Sequence, residues 1–141
     1  MVEKLGKQSV FWFVVLSFIT LGFYMVHWFY KNKDAFNKLK SKVKIEAWHL
    51  HALLVAFVLY WVFVALNGFQ LSYGAGGLYN TLGQLFDLIT GVILIVYVFR
   101  IRLMMTDNFK GLNMHWFWTL IFNVFYVQYK INQLVDSKKI K

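Results

Sequence analysis

Apolar residues along this chain form four long stretches, separated by short lysine-rich or glycine-rich segments. The stretches at 8–30 and 47–66 contain no lysine, arginine, aspartate or glutamate. The stretch at about 82–99 contains one acid, Asp87, and the stretch at about 112–129 is interrupted by polar residues. A helix needs ~20 apolar residues to cross a hydrocarbon layer about 30 Å thick. The second and third stretches therefore predict spanning helices, whereas the first and fourth are open to two interpretations.

The distribution of positive charge favours one of these interpretations. Two lysines precede the first stretch, six lie between the first and second, none lies between the second and third, three basic residues follow the third and four follow the fourth. If all four stretches crossed, nine basic residues would face one side and six the other, a weak bias for a signal that normally sets orientation. If the first and fourth return to their own side, all fifteen share one face. This second arrangement is preferred, with the basic loops and both termini in the cytoplasm.

A segment that enters a membrane and returns needs a position where its helix can break. Thr20 and Gly22 offer one in the first stretch, because glycine adopts backbone conformations that other residues resist. Asn123 offers a weaker one in the fourth, since an asparagine side chain can cap a helix. In the alternative interpretation Gly22 is an ordinary packing glycine of a spanning helix, where glycine is common.

These patterns predict an all-α integral membrane protein with two spanning helices, at about 47–66 and 82–102. Two re-entrant or interfacial aromatic-rich helical segments, at about 9–30 and 113–129, would flank them, and a four-span bundle is the alternative. The composition agrees, because 60% of the residues are hydrophobic against roughly 45–50% in soluble domains. With no proline and no long polar linker, residues 1–141 are expected to form a single membrane domain. The absence of cysteine excludes disulfides and thiolate chemistry.

Two basic segments are expected to lie at the membrane surface. Residues 32–45 predict an amphipathic helix, because Phe36, Leu39 and Val43 recur at helical spacing among lysines; a solvated loop is the alternative. The tail at 130–141 is also basic. The net charge of +9 is expected to attract anionic lipid headgroups, and no nucleic-acid module is recognisable. The predicted lipid contacts are Lys31, Lys33, Lys38, Lys40, Lys42, Lys44, Arg100 and Arg102.

Few residues are candidates for chemistry. His27, His49 and His115 fall near the predicted cytoplasmic face, and neutral imidazole can bind zinc, copper or haem iron. His49 and His51 diverge on a helix, however, and anchoring at the interface is the simpler role. No cofactor is therefore predicted, and haem or metal bound through histidine is an alternative. Asp87 is a possible ligand or ion site, because an acid inside an apolar segment is costly; alternatively it reaches water near the far interface.

The runs ITLGFYMVHWFYKNKDAFN at 19–37 and NVFYVQYKIN at 123–132 resemble a bacterial family of small multipass membrane proteins named domain of unknown function four-two-three-four. The resemblance rests on a Thr-Leu-Gly-x-Tyr-x-x-x-Trp motif at 20–28 and a closing Asn-x-x-Tyr-x-x-Tyr pattern at 123–129. It implies a multipass protein of the bacterial inner membrane and supplies no activity.

No paired carboxylates, Ser-His-Asp order or nucleotide fingerprint is visible in the chain. We therefore expect a non-enzymatic inner-membrane protein that self-assembles or joins a partner complex and engages anionic lipid through its basic face. One alternative is a small transport or lipid-handling protein whose pathway is lined by broken helices. A second alternative is a membrane protein that binds haem or metal through histidine.

Overall fold

The computed structural model describes residues 5–71 and 77–139, and all regular structure within these ranges is helical. The side chains of residues 69–71, 78 and 138–139 are outside the description. The five helices are α1 (Val10–Ile19), α2 (Phe23–Asn37), α3 (Ala47–Leu71), α4 (Gly77–Asn108) and α5 (Trp116–Lys139). The two predicted long apolar helices are therefore present as α3 and α4. The glycine-rich residues at 72–76 lie outside the described ranges.

The first apolar stretch is a helical hairpin and not one straight helix. α1 has 10 residues, which corresponds to about 15 Å of helix. The chain then reverses through Leu21 and Gly22, whose φ angles are 52° and 91°. The Phe13 ring contacts Tyr24 and Trp28, at centroid distances of 5.6 and 5.7 Å. α1 consequently lies back against the first turns of α2.

The Thr20 side chain joins the two arms of this hairpin. Its hydroxyl donates to the carbonyl of Leu16 at 2.7 Å, near the end of α1. The same oxygen accepts the backbone N–H of Tyr24 at 2.9 Å, in the first turn of α2. The Gly22 N–H donates to the Ser17 carbonyl at 2.7 Å. Groups that a helix end would leave without partners are thus satisfied within the turn.

The last helix contains a second break. Asn123, with φ 46° and ψ −128°, departs from helical geometry inside α5 and separates residues 116–122 from the longer C-terminal part. The side-chain oxygen of Asn123 is buried and has no hydrogen-bond partner among the described residues. The fourth apolar stretch is accordingly a short aromatic helix followed by a second, differently directed one.

The structure corrects the prediction of an amphipathic helix at 32–45. Helix α2 ends at Asn37, and residues 38–46 are not helical. The Asn37 amide accepts the Ile45 N–H at 2.8 Å and donates to the Ile45 carbonyl at 2.7 Å, which closes a loop. Phe36, Leu39 and Ile45 are buried, and Val43 is partly buried. The apolar positions therefore belong to the protein core, and helical spacing alone could not separate that role from contact with a membrane.

Residue contacts divide the chain into two compact units. The larger unit comprises Met1–Glu46 and Ile95–Lys141, and the smaller unit comprises Ala47–Leu94. The larger unit has a core built from α1, α2, the end of α4 and α5. Its largest fully buried side chains are Leu5, Phe13, Trp28, Phe29, Phe36, Leu39, Ile45, Ile101, Met104 and Met105.

The smaller unit consists of α3 and the first part of α4. Phe63 stacks against Phe86, with ring centroids 5.4 Å apart. Ten of its described large apolar side chains are nevertheless exposed: Trp48, Val55, Val58, Val62, Val64, Leu66, Leu85, Leu88, Ile89 and Val92. Ala47–Gly68 and Tyr79–Asn108 are long and apolar enough to cross a membrane. Only 22% of the most apolar 18-residue segment is buried in the first, and 33% in the second.

Candidate functional site

The two helix breaks each follow a helix with an exposed apolar surface. At the first break these side chains cover α1 and the turn that ends it. At the second they cover residues 116–122. The exposed residues of the first set are Phe11, Trp12, Phe18, Ile19, Leu21 and Phe23, and those of the second are Trp116, Phe117, Trp118, Leu120, Ile121 and Phe122. Thr20, Gly22 and Asn123, proposed as breaks from the sequence, thus lie at the ends of two aromatic surfaces.

A group of buried and partly buried hydrogen bonds joins the segment before α1 to α2 and α5; we name it the Gln128 clasp (Gly6, Gln8, Trp28, Gln128 and Asn132). The Trp28 indole N–H donates to the Gln128 side-chain oxygen at 2.7 Å. The Gln128 amide donates to the Gly6 carbonyl at 3.2 Å and to Asn132 at 2.9 Å. Asn132 in turn donates to the Gln8 carbonyl at 2.7 Å. The clasp fixes the segment before α1 against α2 and α5.

Sequence reasoning does not identify the clasp, because Gln128 is only one of the polar residues that interrupt the fourth apolar stretch. One signal was available. Gln128 and Asn132 are four residues apart and therefore share one face of a helix. Their partners outside α5 lie 100 to 124 residues away in the chain, and no local pattern points to them.

The predicted lipid contacts divide into exposed and internally bonded side chains. Lys31, Lys38, Lys40 and Lys42 are exposed. Lys44 is also exposed, but its ammonium donates to the carbonyls of Asn37 and Leu39, at 2.6 and 2.9 Å, and so supports the end of α2.

The remaining predicted lipid contacts are less available to solvent. Arg102 donates to the Met114 carbonyl at 2.8 Å and holds the loop before α5. Lys33 is partly buried, with its ammonium 3.9 Å from the Asp34 carboxylate, and Arg100 is partly buried. Burial also raises the pKa of the nearby Tyr30 phenol above its usual value near 10, so this side chain is uncharged at neutral pH.

The candidate histidines each lie against an aromatic or backbone neighbour. His27 lies 5.9 Å from the Tyr24 ring, and His49 lies 3.9 Å from the Trp48 ring. The His115 imidazole accepts the Phe117 N–H at 3.3 Å. Within residues 5–71 and 77–139, no three His, Asp or Glu side chains are grouped so as to hold a metal ion.

Asp87 is exposed and lines an open cavity of about 180 Å³ in the smaller unit. The walls come from α3 and the first turns of α4, and they combine aromatic rings with amide side chains. Asp87 lies ten residues after the start of α4 at Gly77, about 15 Å along the helix axis. The candidate ligand residue is therefore placed beside a space that a small molecule can enter.

The fold and these surfaces define an all-helical protein with two long apolar helices and two aromatic segments that end at a backbone break. A known family matches residues 8–107 and is described as a domain of unknown function (DUF4234). Because this match covers most of the chain, the protein belongs to that family. The matched region includes the Thr20-Leu21-Gly22 turn and Asp87, and it ends before α5. No curated protein and no solved structure matches the chain.

Proposed function

We propose that this chain is a non-enzymatic integral protein of the bacterial inner membrane that engages anionic lipid. In this proposal α3 and α4 cross the bilayer, while the α1–α2 hairpin and residues 116–122 enter one leaflet and return. The exposed lysines contact headgroups on the cytoplasmic side. The exposed apolar faces of α3 and α4 contact lipid and a second copy of the chain or a partner complex.

The observation that carries this proposal is the exposed apolar surface of α3 and the first part of α4, which is almost without charge. All fifteen lysines and arginines belong to the larger unit, and Asp87 is the one residue among Asp, Glu, Lys and Arg in Ala47–Leu94. The exposed side chains of α3 and of the first part of α4 are mostly aliphatic. Contiguous exposed apolar surface of this kind marks a membrane or protein contact, and the core helix of a soluble protein would bury it.

The hairpin supports entry into a single leaflet. Its first arm is about 15 Å long, roughly half of a hydrocarbon layer of about 30 Å. Phe18 and Ile19, which are 78% and 70% exposed, lie at the end of that arm, and the chain turns back immediately afterwards. Backbone breaks at membrane depth are tolerated where protein buries them, and the turn satisfies its own hydrogen bonds.

Chemical labelling of single cysteines tests this topology, since the natural chain contains none. We would introduce Gly6→Cys, Lys42→Cys, Lys110→Cys, Ser137→Cys and Gly77→Cys, all at exposed positions. In whole bacterial cells, a membrane-impermeant maleimide should label Gly77→Cys and spare the other four. After cell disruption all five should react, which controls for intrinsic reactivity.

The same set distinguishes the four-span bundle. If the first and fourth stretches cross, positions 6 and 137 share a side with position 77, and positions 42 and 110 share the other. Labelling of Gly6→Cys together with Gly77→Cys in whole cells would contradict the re-entrant topology. A soluble protein would leave all five variants in the cytosolic fraction after ultracentrifugation.

A small transport or lipid-handling protein is a second candidate function. The cavity beside Asp87 favours it, because a cavity next to an acid in an apolar helix suits a bound ion or cargo. Flux of ions or labelled lipid into proteoliposomes, compared between the natural chain and Asp87→Asn, tests this candidate.

A further inference from the structure

We propose that the cavity beside Asp87 binds a small organic cation, such as a protonated or quaternary amine. This inference rests on the proposed membrane location of α3 and α4 and gives the smaller unit a ligand. The inference rests on six of the residues that line this cavity: Tyr60, Asn67, Tyr79, Asn80, Gln84 and Asp87.

The first argument is charge. No lysine or arginine occurs in Ala47–Leu94, so neither can neutralise Asp87 from within this unit. An unpaired carboxylate within an apolar helix is costly in a membrane. A bound cation removes that cost, and the cavity places it beside the carboxylate.

The second argument is unused hydrogen-bonding capacity. Asn67, Asn80 and Gln84 line the same cavity as Asp87, and the structure gives their side chains no hydrogen-bond partner within the described ranges. Each amide has a carbonyl oxygen that accepts hydrogen bonds. These three amides share the cavity with the Asp87 carboxylate, and their oxygens suit the N–H groups or polarised methyl groups of an amine.

The third argument is the aromatic wall. Tyr79 lines the cavity and is held by stacking against Phe63 at 6.3 Å, and Phe63 stacks in turn against Phe86 at 5.4 Å. Tyr60 lines the same space. Organic cations are attracted to the faces of aromatic rings, and quaternary ammonium groups are recognised in this way. A bare metal ion would gain less from such a wall.

The cavity volume limits the size of the ligand. About 180 Å³ is several times the ~30 Å³ that one water occupies in the liquid. It is smaller than the roughly 300–1,000 Å³ of sites for drug-sized ligands. An amine with a few carbon atoms fits these limits.

Isothermal titration of the full chain in lipid nanodiscs tests the proposal, with choline chloride as the probe. The matched control ligand is 3,3-dimethylbutan-1-ol, which has nearly the same shape as choline and no charge. We expect saturable binding of choline at pH 7 and at least tenfold weaker binding of the alcohol. Asp87→Asn should weaken choline binding at least tenfold, and Asp87→Glu should retain most of it.

Control variants separate loss of the site from loss of the fold. Asp136→Asn removes an exposed acid that pairs with Lys7 in the larger unit and should leave choline binding unchanged. Gln84→Leu keeps the charge of Asp87 and removes one amide, so it should weaken choline binding severalfold. This variant still tests the site if Asp87→Asn fails to fold. Circular dichroism checks the helix content of every variant.

Equal binding of choline and its neutral analogue would overturn the inference, as would an unchanged choline affinity in both Gln84→Leu and Asp87→Asn. Saturable binding of sodium in place of choline, or no cation binding by the folded protein, would also overturn it. Repeating the titration in detergent keeps the test independent of membrane topology. Cysteine labelling that contradicts the re-entrant arrangement would therefore count against the proposed function, and the titration would still decide the ligand.

Discussion

At the scale of single residues, the turn between α1 and α2 depends on two side chains with different tasks. Thr20 bonds to both helices through one hydroxyl. Gly22 supplies a φ of 91°, a conformation that residues with a Cβ resist. Leu21 also adopts a positive φ of 52°, which costs a non-glycine residue roughly 1–2 kcal/mol. A second strained residue at this turn would add to that cost.

Substitution of Gly22 tests this account. Gly22→Ala should destabilise the fold by about 1 kcal/mol and Gly22→Val by more, because the left-handed conformation disfavours a Cβ, and a branched one most of all. The matched control is Gly91→Ala in α4, where an added Cβ meets no atom within 4 Å and alanine is the better helix former by roughly 1 kcal/mol. Thermal unfolding in detergent measures both. Stabilisation by Gly22→Ala would instead indicate a straight helix through the first stretch.

The residue type alone predicts the role of some site residues and not of others. Thr20, Gly22 and Asn123 stand out in a sequence because their conformational preferences are local. Lys44 and Arg102 do not, because a lysine that bonds to carbonyls of its own loop looks the same as a lysine that faces a headgroup. The role of a basic side chain depends on which carbonyl lies within reach, and only the folded chain determines that.

At the scale of helices, the type and number of the long apolar elements could be predicted, whereas the packing of the shorter ones could not. The length and composition of α3 and α4 are sufficient to identify them. The segment at 32–45 has helical spacing of apolar residues, yet Asn37 and Lys44 close it into a loop whose apolar side chains are buried. Periodicity reports that a face is apolar and does not report what covers it.

The Gln128 clasp gives a prediction at this scale. Gln128→Leu should destabilise the larger unit by about 1–3 kcal/mol, because the Trp28 indole N–H and the Gly6 carbonyl would lose a buried partner. The segment before α1 should then exchange its amide hydrogens faster, as measured by mass spectrometry. Gln133→Leu is the control, since Gln133 is exposed on the same helix and should change stability by less than about 0.5 kcal/mol. Similar exchange in both variants would exclude a structural role for the clasp.

At the scale of the whole molecule, charge is divided unequally between the two units along the sequence, whereas both units expose large apolar side chains. The larger unit carries all the lysines and arginines, and the smaller carries one acid among mostly apolar residues. The sequence predicted this division, because charge counts need no three-dimensional information. The choice of lysines that remain available to lipid needed the structure, which assigns Lys44 to an internal contact.

Lipid binding by the larger unit can be tested with the exposed lysines alone. Each lysine near an anionic surface contributes about 1 kcal/mol, so replacing Lys38, Lys40 and Lys42 by glutamine should weaken retention of phosphatidylglycerol by roughly 3 kcal/mol in total. Native mass spectrometry of detergent-purified protein measures the retained lipid. Replacement of the same three by arginine keeps the charge and should keep the lipid. Equal retention in the glutamine and natural chains would argue against headgroup contact by this loop.

The Trp28–Gln128 hydrogen bond joins residues 100 positions apart, and this separation has a consequence for biosynthesis. At about 5–20 residues per second, a ribosome synthesises Trp28 several seconds or more before it adds Gln128. During that interval the indole N–H and the Gly6 carbonyl lack the amide that later satisfies them, so the first hairpin emerges incomplete. A nascent chain interrupted before α5 would present this unfinished hairpin to proteases, and synthesis of the last helix is the event that completes the first.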